Sequence, residues 1–256
     1  MTTDQPNIDR ISPTRKPVGK PAGYQRWTDL LFLHWPMEPE MLKPFLPAEL
    51  TVDTFDGQAW IGMVPFYMSG VRPRFFPAVP GISAFCETNI RTYVHLNGEK
   101  PGVWFFSLEA AKSLAVRIAR WRWHLPYFCS NMSLERNGDH IIYSGSRLWP
   151  GEPGAGYQIK AEIGPTWTAN DAVDGAATPG TFEHFLAERY ILYAQNQSGK
   201  LYRGQVHHRP YPLREARLLE FEESLLAAAG LPIQGEPTNV LFSDGVDVKV
   251  YSLEAV

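Results

Sequence analysis

The stretch that decides the fold comprises residues 85–112, which read FCETNIRTYVHLNGEKPGVWFFSLEAAK. Its first part alternates in character, and side chains along a β-strand point to opposite faces in turn. One face of this strand therefore carries a carboxylate, an amide and a guanidinium in a row, from Glu87, Asn89 and Arg91. Whether that row faces water or an enclosed space decides what chemistry the protein can perform.

The same stretch predicts a hairpin, because Asn97-Gly98 is a residue pair typical of tight turns between two strands. Similar turn signals at Asp56-Gly57 and Asn137-Gly138 divide much of the remaining chain into short extended segments. We predict about ten or more strands and a few short helices, a pattern typical of a large, mostly antiparallel β-structure. The fold class is therefore mainly β.

One segment has helical rather than strand periodicity. A helix is predicted over residues 110–124, where Leu114, Ile118 and Trp121 recur at the i, i+4, i+7 spacing of a buried stripe. The arginines of this segment are expected to form a solvated or salt-bridged face.

Composition and charge bound the class of protein. Of the 256 residues, 44% are hydrophobic and 13% aromatic, which is typical of a chain with a substantial core. The net charge of −3 gives no general reason to expect nucleic acid or a membrane as a partner. No stretch approaches the roughly 20 apolar residues that span a bilayer. The chain has 2 cysteines, which form no disulfide framework, so we expect a cytoplasmic protein.

The chain divides into an arm and a domain. Residues 1–23 contain several prolines and scattered charges, so we expect a mobile Pro-rich N-terminal arm. No change in composition and no internal repeat divides the remainder. The sequence therefore predicts a single domain over residues 24–256.

The usual signatures of cofactor and metal sites are missing. The chain has no Gly-rich phosphate loop, no dinucleotide-binding fingerprint and no nucleophile-elbow serine, so we expect no cofactor. The neighbours His207 and His208 would point to opposite faces of a strand and cannot easily bind one metal ion. No metal site is predicted.

Several motifs, in the same order along the chain, resemble the acetoacetate decarboxylase superfamily and its YqjF-like branch of unknown function. Residues 38–50 (EPEMLKPFLPAEL) resemble the superfamily's helical Leu-Pro segment, and FCETN resembles the strand that supplies a pocket glutamate. The YqjF-like phrases F-x-E-x-N-x-R-T-Y-V, LPY, F-L-x-E-R-Y, H-x-P-Y-x-L and G-V-D-V stand at residues 85–94, 125–127, 185–190, 208–213 and 245–248.

The resemblance implies a closed, cone-like antiparallel β-barrel with a small, deep pocket. Because residues inside a barrel alternate with those outside, the row of Glu87, Asn89 and Arg91 would line the pocket. A carboxylate and a guanidinium are tolerable inside a protein as a hydrogen-bonded pair. Without the resemblance, a solvent-facing strand with an ordinary surface ion pair is the simpler interpretation.

One departure concerns the residues that give acetoacetate decarboxylase its activity. In that enzyme a lysine forms a Schiff base with the keto acid, and a second lysine lowers the pKa of the first. At the two positions implied by the resemblance this chain has Tyr127 and Phe128, neither of which can form an imine. The nearest amine is Lys112, which is expected to be solvated. Imine decarboxylation is therefore not predicted.

Three hypotheses follow. In the first, the chain is an enzyme that acts on a small oxo or carboxylate compound by acid–base chemistry. Glu87 would be the general acid or base, and Tyr127 would donate a hydrogen bond to a developing oxyanion. An arginine would hold a carboxylate of the substrate. The predicted binding residues are Arg91, Asn89, Arg26 and His208.

In the second hypothesis the pocket binds a small ligand without catalysis. In the third, the chain is a structural module whose interior is filled by aromatic rings. Those rings would be Trp104, Phe105, Phe106, Trp121 and Tyr127. The expected partner under the first two hypotheses is a small molecule such as a carboxylate, and a homo-oligomer is left open.

Overall fold

The computed structural model describes residues 8–256 and is mainly β, which confirms the predicted fold class. Within that range thirteen strands form one sheet, and the α-helices between them are short. The strands are β1 Gly23–Met37, β2 Leu50–Val52, β3 Ala59–Pro73, β4 Phe85–Leu96, β5 Glu99–Ala110, β6 Tyr127–Asn137, β7 His140–Trp149, β8 Gly156–Thr166, β9 Ile191–Gln195, β10 Leu201–His207, β11 Leu213–Glu223, β12 Asn239–Val250 and β13 Glu254–Ala255. The helices are α1 Pro39–Leu42, α2 Ser113–Trp123, α3 Phe182–Ala187 and α4 Leu225–Ala228.

The sheet closes on itself and is ring-like. Its strand order is β13-β10-β9-β5-β6-β7-β8-β11-β12-β1-β3-β4-β2, and two further pairings join β10 to β12 and β4 to β5. These pairings create a closed circuit through β4, β3, β1, β12, β10, β9 and β5, which we call the first ring. Phe32, Phe66 and Val248, from β1, β3 and β12, share one buried apolar cluster, which fills part of the inside of this ring.

The sheet is not purely antiparallel, which differs from the expectation. β5 pairs in parallel with both β6 and β9, whereas β4 pairs antiparallel with β3 and β5. Parallel neighbours cannot be joined by a tight turn, so the chain needs a crossover between them. α2 supplies that crossover between β5 and β6.

The hairpin predicted around Asn97-Gly98 is confirmed. β4 and β5 pair from Leu96 and Glu99 at the turn to the far end of both strands. Asn97 and Gly98 have φ values of 51° and 81°, a left-handed conformation that these residue types tolerate.

The strands β1, β3 and β4 are buried not only on the face that points into the first ring but also on their other face. Leu33, Ile61 and Ile90, from β1, β3 and β4, pack in a second apolar cluster with Tyr143 and Ile159 of β7 and β8. A strand that is covered on both faces needs buried residues at every position. This packing explains why nearly all of β4 is buried, polar residues included.

The predicted helix is observed as α2, but its buried face was predicted wrongly. Leu114, Ile118 and Trp121 are 55%, 50% and 78% exposed, whereas Val116 is buried. Periodicity identifies an apolar stripe but does not say which stripe meets the sheet. Here a face built around Val116, with half-buried alanines beside it, packs on the sheet instead.

The described part of the N-terminal arm contacts the ring, and the mobility expected of residues 1–23 stays a prediction. Ile8 and Pro13 are buried, and Arg10 forms an ion pair with the fully buried Asp53. Proline-rich composition disfavours regular structure, but it does not prevent single side chains from finding partners. Residues 1–7 lie outside the described range, and the single domain over residues 24–256 stays a prediction.

Candidate functional site

Three polar side chains along β4 point into the first ring. Glu87, Asn89 and Arg91 are only 4%, 6% and 9% exposed. Alternate residues of a strand lie about 6.6 Å apart, so the Cα atoms of Glu87 and Arg91 are about 13 Å apart. The row found in the sequence is therefore buried, and the solvent-facing interpretation of this strand is wrong.

At the start of β4, Glu87 meets Tyr127, the first residue of β6. The Tyr127 hydroxyl donates a hydrogen bond to Glu87 Oε2 at 2.8 Å. Burial raises the pKa of Glu87 to about 8, against the opposing effect of this hydrogen bond, and burial also raises the pKa of Tyr127. Glu87 therefore holds its proton at neutral pH, and a protonated carboxyl group can serve as a general acid.

Arg91 is buried, and none of the described residues supplies it with an anionic partner. Its Nη2 donates to the backbone oxygen of Leu186 in α3 at 3.2 Å, but its Nε is buried and finds no hydrogen-bond partner in the described part of the chain. The rings of Phe32 and Tyr93 lie 5.9 and 5.7 Å from the guanidinium carbon. Within residues 8–256, no carboxylate lies at ion-pair distance from Arg91. A buried charge of this kind is costly unless an anion binds to it.

A polar chain that sequence reasoning missed adjoins Arg91. The Tyr93 hydroxyl donates to the Leu186 oxygen at 2.8 Å, and His34 Nε2 lies 2.8 Å from the same hydroxyl. Burial lowers the pKa of His34 to about 3, so its ring is neutral. The available signal was a lone histidine inside the apolar segment LLFLHW, residues 30–35.

A second buried carboxyl group, Glu188, follows α3. It accepts hydrogen bonds from the Tyr190 hydroxyl and from the backbone N–H of Tyr211, the latter at 2.8 Å. Burial raises the pKa of Glu188 to about 7. The ring of Tyr211 also packs at 5.3 Å from that of Phe32, which contacts Arg91, so this cluster adjoins the same interior.

His208 belongs to the cluster around Glu188. Its ring stacks on that of Tyr190 at 4.3 Å between centroids, and burial lowers the pKa of His208 to about 4. Nδ1 must donate to the carbonyl oxygen of Arg209 at 2.7 Å, because a carbonyl only accepts. Nε2 is then an acceptor, and it is buried without a partner among the residues that the structure describes.

Arg26 does not enter the first ring. Its side chain is 63% exposed, and Asp247 lies 3.8 Å away on the surface. The neighbouring Trp27 packs on the interior cluster, and adjacent strand residues point to opposite faces. Together with His208, Arg26 instead lines a surface groove with a volume of about 360 Å³.

The positions of the lysines and aromatic rings bear on two expectations, namely that Lys112 is solvated and that rings fill the interior in the third hypothesis. No lysine is buried anywhere in residues 8–256, and Lys112 is half-buried just before α2. Trp121 is exposed, so it does not fill the interior as the third hypothesis requires. The other rings of that hypothesis are half-buried, namely Trp104, Phe105, Phe106 and Tyr127.

The described residues contain neither a cluster suited to a metal ion nor a helix that could cross a membrane. No group of three or more His, Cys, Asp or Glu side chains in residues 8–256 is arranged to hold a metal ion. In the same range, every helix is too short or too polar to cross a bilayer.

The raised pKa of Glu87 predicts a change in how stability depends on pH. Because the pKa rises from 4.5 to about 8 on folding, the stabilising contribution is complete below pH 4.5 and is lost as the pH rises through 8. Each pKa unit corresponds to about 1.4 kcal/mol, so the free energy of unfolding should fall by up to a few kcal/mol across this window. The free energy of unfolding of Glu87→Gln, whose side-chain oxygen can still accept the hydrogen bond from Tyr127, should fall less across the same window. Urea unfolding at several pH values measures both slopes.

Two features make the comparison specific to Glu87. Glu188 titrates in both proteins, so the difference between their slopes reports Glu87 alone. The variant Glu220→Gln, at a carboxylate whose side chain is 59% exposed, is the control and should keep the wild-type slope. Equal slopes for wild type and Glu87→Gln would show that Glu87 does not carry a raised pKa.

Comparisons with known proteins give the family and the fold. Residues 24–247 match the model of the DUF2071 family, which is described as an uncharacterized conserved protein. The uncharacterized protein YqjF of Bacillus subtilis strain 168 is 41% identical over 192 residues, which is 75% of each chain.

Solved structures with the same fold are more distant in sequence. An acetoacetate decarboxylase-like enzyme from Sphingomonas wittichii RW1 has a TM-score of 0.61 at 14% identity, covering 93% of this chain and 94% of that one. Acetoacetate decarboxylase from Legionella pneumophila has a TM-score of 0.56 at 14% identity, covering 97% and 94%. The enduracididine biosynthesis enzyme MppR, complexed with pyruvate, has a TM-score of 0.60 at 12% identity, covering 94% and 93%. The chain therefore belongs to the DUF2071 family and has an acetoacetate decarboxylase-like fold.

Proposed function

We propose that this chain binds a small carboxylate compound inside the first ring, where Arg91 holds the carboxylate and Glu87 exchanges a proton with the compound. The observation that carries this proposal is the buried guanidinium of Arg91, whose Nε has no partner among the described residues. A guanidinium presents parallel N–H donors that match the two oxygens of a carboxylate. A bound carboxylate would supply the anion that the described residues do not.

A second orphaned atom supports a ligand at the same place. Asn89 Oδ1 is buried and no residue within 8–256 forms a hydrogen bond with it, and Asn89 lies between Arg91 and Glu87 on the same strand face. Buried polar atoms are nearly always paired with protein, water or ligand. A compound that extends from Arg91 towards Glu87 would pass Asn89.

The available side chains favour acid–base chemistry over imine formation. A Schiff base needs a lysine inside the site, and every lysine is half-buried or exposed. Glu87, with its pKa of about 8, is instead close to the pH at which proton transfer is most effective. Tyr127 keeps Glu87 oriented through its hydrogen bond. MppR, which shares the fold, holds the small oxo acid pyruvate in one of its structures.

The second candidate function is ligand binding without catalysis. What favours it is the spacing of Glu87 and Arg91 on β4, four residues apart, which in a regular strand separates their Cα atoms by about 13 Å. A short compound held by Arg91 would leave Glu87 without contact, whereas a longer one would reach it. The length of the ligand therefore decides between the two candidates. The cytoplasm is our proposed location, supported by the two free cysteines.

A thermal-shift screen tests the proposal with acetate, pyruvate, lactate and acetoacetate as probes. At a concentration about 100 times Kd, a ligand adds about 2.7 kcal/mol to stability, which raises Tm by roughly 5 °C or more. Wild type should respond to at least one of these acids, and Arg91→Met should respond to none. Arg217→Gln, in which a side chain 71% exposed is replaced, should keep the wild-type response.

The variant Glu87→Gln separates the two candidate functions. If Glu87 takes part in the chemistry, this variant keeps the thermal shift but converts none of the bound acid, as followed by proton NMR. If wild type and variant both bind without converting it, the chain is a binding protein. A wild type that responds to no carboxylate, or an Arg91→Met variant that responds fully, would contradict the proposal.

A further inference from the structure

We infer that the end of the first ring where Glu87 lies is a docking surface for an anionic lipid membrane. Two segments meet at this end: residues 71–84, which comprise the end of β3 and the loop before β4, and residues 111–128, which contain α2 and lead from β5 into β6. Because β4 runs antiparallel to both β3 and β5, the loop and the helix leave the sheet on the same side. The Ala111 N–H also donates to the Cys86 oxygen at 3.2 Å, which joins the end of β5 to the start of β4.

The charge of this end differs from that of the whole chain. Residues 71–84 and 111–128 carry 6 of the 24 Lys and Arg residues and none of the 27 Asp and Glu residues. They therefore hold a charge of +6 in a chain whose net charge is −3. Within the described residues, none of these six cations forms an ion pair.

The same two segments expose large apolar side chains. Of the 14 large hydrophobic residues exposed in residues 8–256, 7 lie here. They are Phe75, Phe76, Val79, Ile82, Leu114, Ile118 and Trp121. Phe75 and Trp121 are 83% and 78% exposed, which places two aromatic rings in contact with solvent. A concentration of exposed apolar groups of this kind marks an interaction surface.

The geometry of α2 indicates what the surface binds. At about 100° per residue, Leu114, Ile118 and Trp121 fall on one face, opposite the buried Val116. By the same geometry, Arg117 and Arg122 lie on either side of that apolar face. A helix with tryptophan and aliphatic side chains on one face and arginines beside them suits the boundary between lipid headgroups and acyl chains.

Charge complementarity selects an anionic membrane over a second copy of the chain. A two-fold contact through this surface would place like charges opposite each other, with no carboxylate from either segment to pair with them. An anionic bilayer supplies the opposite charge and an apolar layer for the exposed rings. The net charge of −3 gave no reason to expect a membrane partner. That total sums over the whole chain, so it does not show that the fold gathers positive charges at one end.

Flotation of the full chain with phospholipid vesicles tests the inference. One set contains phosphatidylcholine alone, and the other contains phosphatidylcholine and phosphatidylserine at about three to one. The chain should float with the anionic vesicles at low salt, stay unbound with the neutral ones, and dissociate at high salt because the charges are screened.

Two pairs of substitutions separate the charged from the apolar contribution. Arg117→Gln with Arg122→Gln should weaken binding about 25-fold, since each arginine near such a surface contributes about fivefold. Phe75→Ser with Trp121→Ser should weaken it at least about tenfold, through loss of buried apolar area. Arg217→Gln and Val173→Ser, at side chains elsewhere that are both 71% exposed, should bind like wild type.

Other occupants give different outcomes. Equal binding to neutral and anionic vesicles, or no binding to either, would overturn the inference. So would double variants that bind like wild type. Sedimentation velocity provides an independent check: a dimer that dissociates in the Phe75→Ser, Trp121→Ser variant would assign the surface to a second copy instead.

Discussion

Replacing Arg147 by Met is expected to lower the free energy of unfolding by about 3–5 kcal/mol, the cost of leaving a buried charge unpaired. Arg147 and Glu109 are 6% and 1% exposed and form a salt bridge between β7 and β5. Glu109 also accepts a hydrogen bond from the Ser130 hydroxyl at 2.6 Å, and the Arg147 guanidinium lies 3.6 Å from the ring centre of Phe128. Without the guanidinium, Glu109 has to stay buried as an unpaired carboxylate or bind a proton.

Urea unfolding at neutral pH measures this loss, and a double substitution provides the control. Arg147→Met with Glu109→Gln removes both charges together and should recover part of the stability, because the unpaired carboxylate is gone. A single variant that loses less than about 1 kcal/mol would show that this salt bridge is not the paired buried charge that the structure describes.

The substitution Arg91→Met is expected to have the opposite effect on the unliganded protein. Arg91 is buried to nearly the same extent as Arg147, but no described carboxylate pairs with it. Methionine fills a similar space without a charge to desolvate, so the free energy of unfolding should be unchanged or should rise by about 1 kcal/mol or more. The substitution also removes the hydrogen bond from Arg91 to the Leu186 oxygen, which limits the gain in stability. The oxygen keeps a partner, because the Tyr93 hydroxyl still donates to it.

The two methionine variants are best measured side by side in the same urea titration. The two arginines are about equally buried. If their substitutions change the free energy of unfolding in opposite directions, this would indicate that Arg91 is retained for binding rather than for stability. A destabilisation of Arg91→Met as large as that of Arg147→Met would instead indicate that Arg91 has a structural role, and the proposed carboxylate site would lose its main support. Adding a responsive carboxylate should raise the free energy of unfolding of wild type and of Arg147→Met but not of Arg91→Met, because only the first two keep the guanidinium that binds it.

Some features followed directly from the sequence because they depend on local chemistry. The turn at Asn97-Gly98 needs residues that tolerate a positive φ, and it formed as predicted. The alternation along β4 placed Glu87, Asn89 and Arg91 on one face, and all three are buried together. Tyr127, the hydrogen-bond partner of Glu87, was among the predicted site residues. Its contact with Glu87 depends on where β6 begins relative to β4, which the sequence does not show.

Other predictions were wrong because they depend on which surfaces pack against each other. The stripe of Leu114, Ile118 and Trp121 has ideal helical spacing, yet the opposite face of α2 packs on the sheet. Arg26 lies on the outward side of β1, which its place in the sequence did not reveal. His34 gave only a weak signal, since a histidine in an apolar run is usually a buried structural residue.

By itself, the amino-acid sequence determined that the chain is mainly β, that one strand carries a polar row, and that the lysine positions implied by the resemblance hold Tyr127 and Phe128. These are properties of residue types and of the two-residue repeat of a strand. The tertiary structure alone decided that Arg91 has no carboxylate partner among residues 8–256, that Glu87 lies where its pKa rises, and that six cations gather at one end of the ring. Burial and pairing arise from contacts between distant segments, which local spacing does not encode.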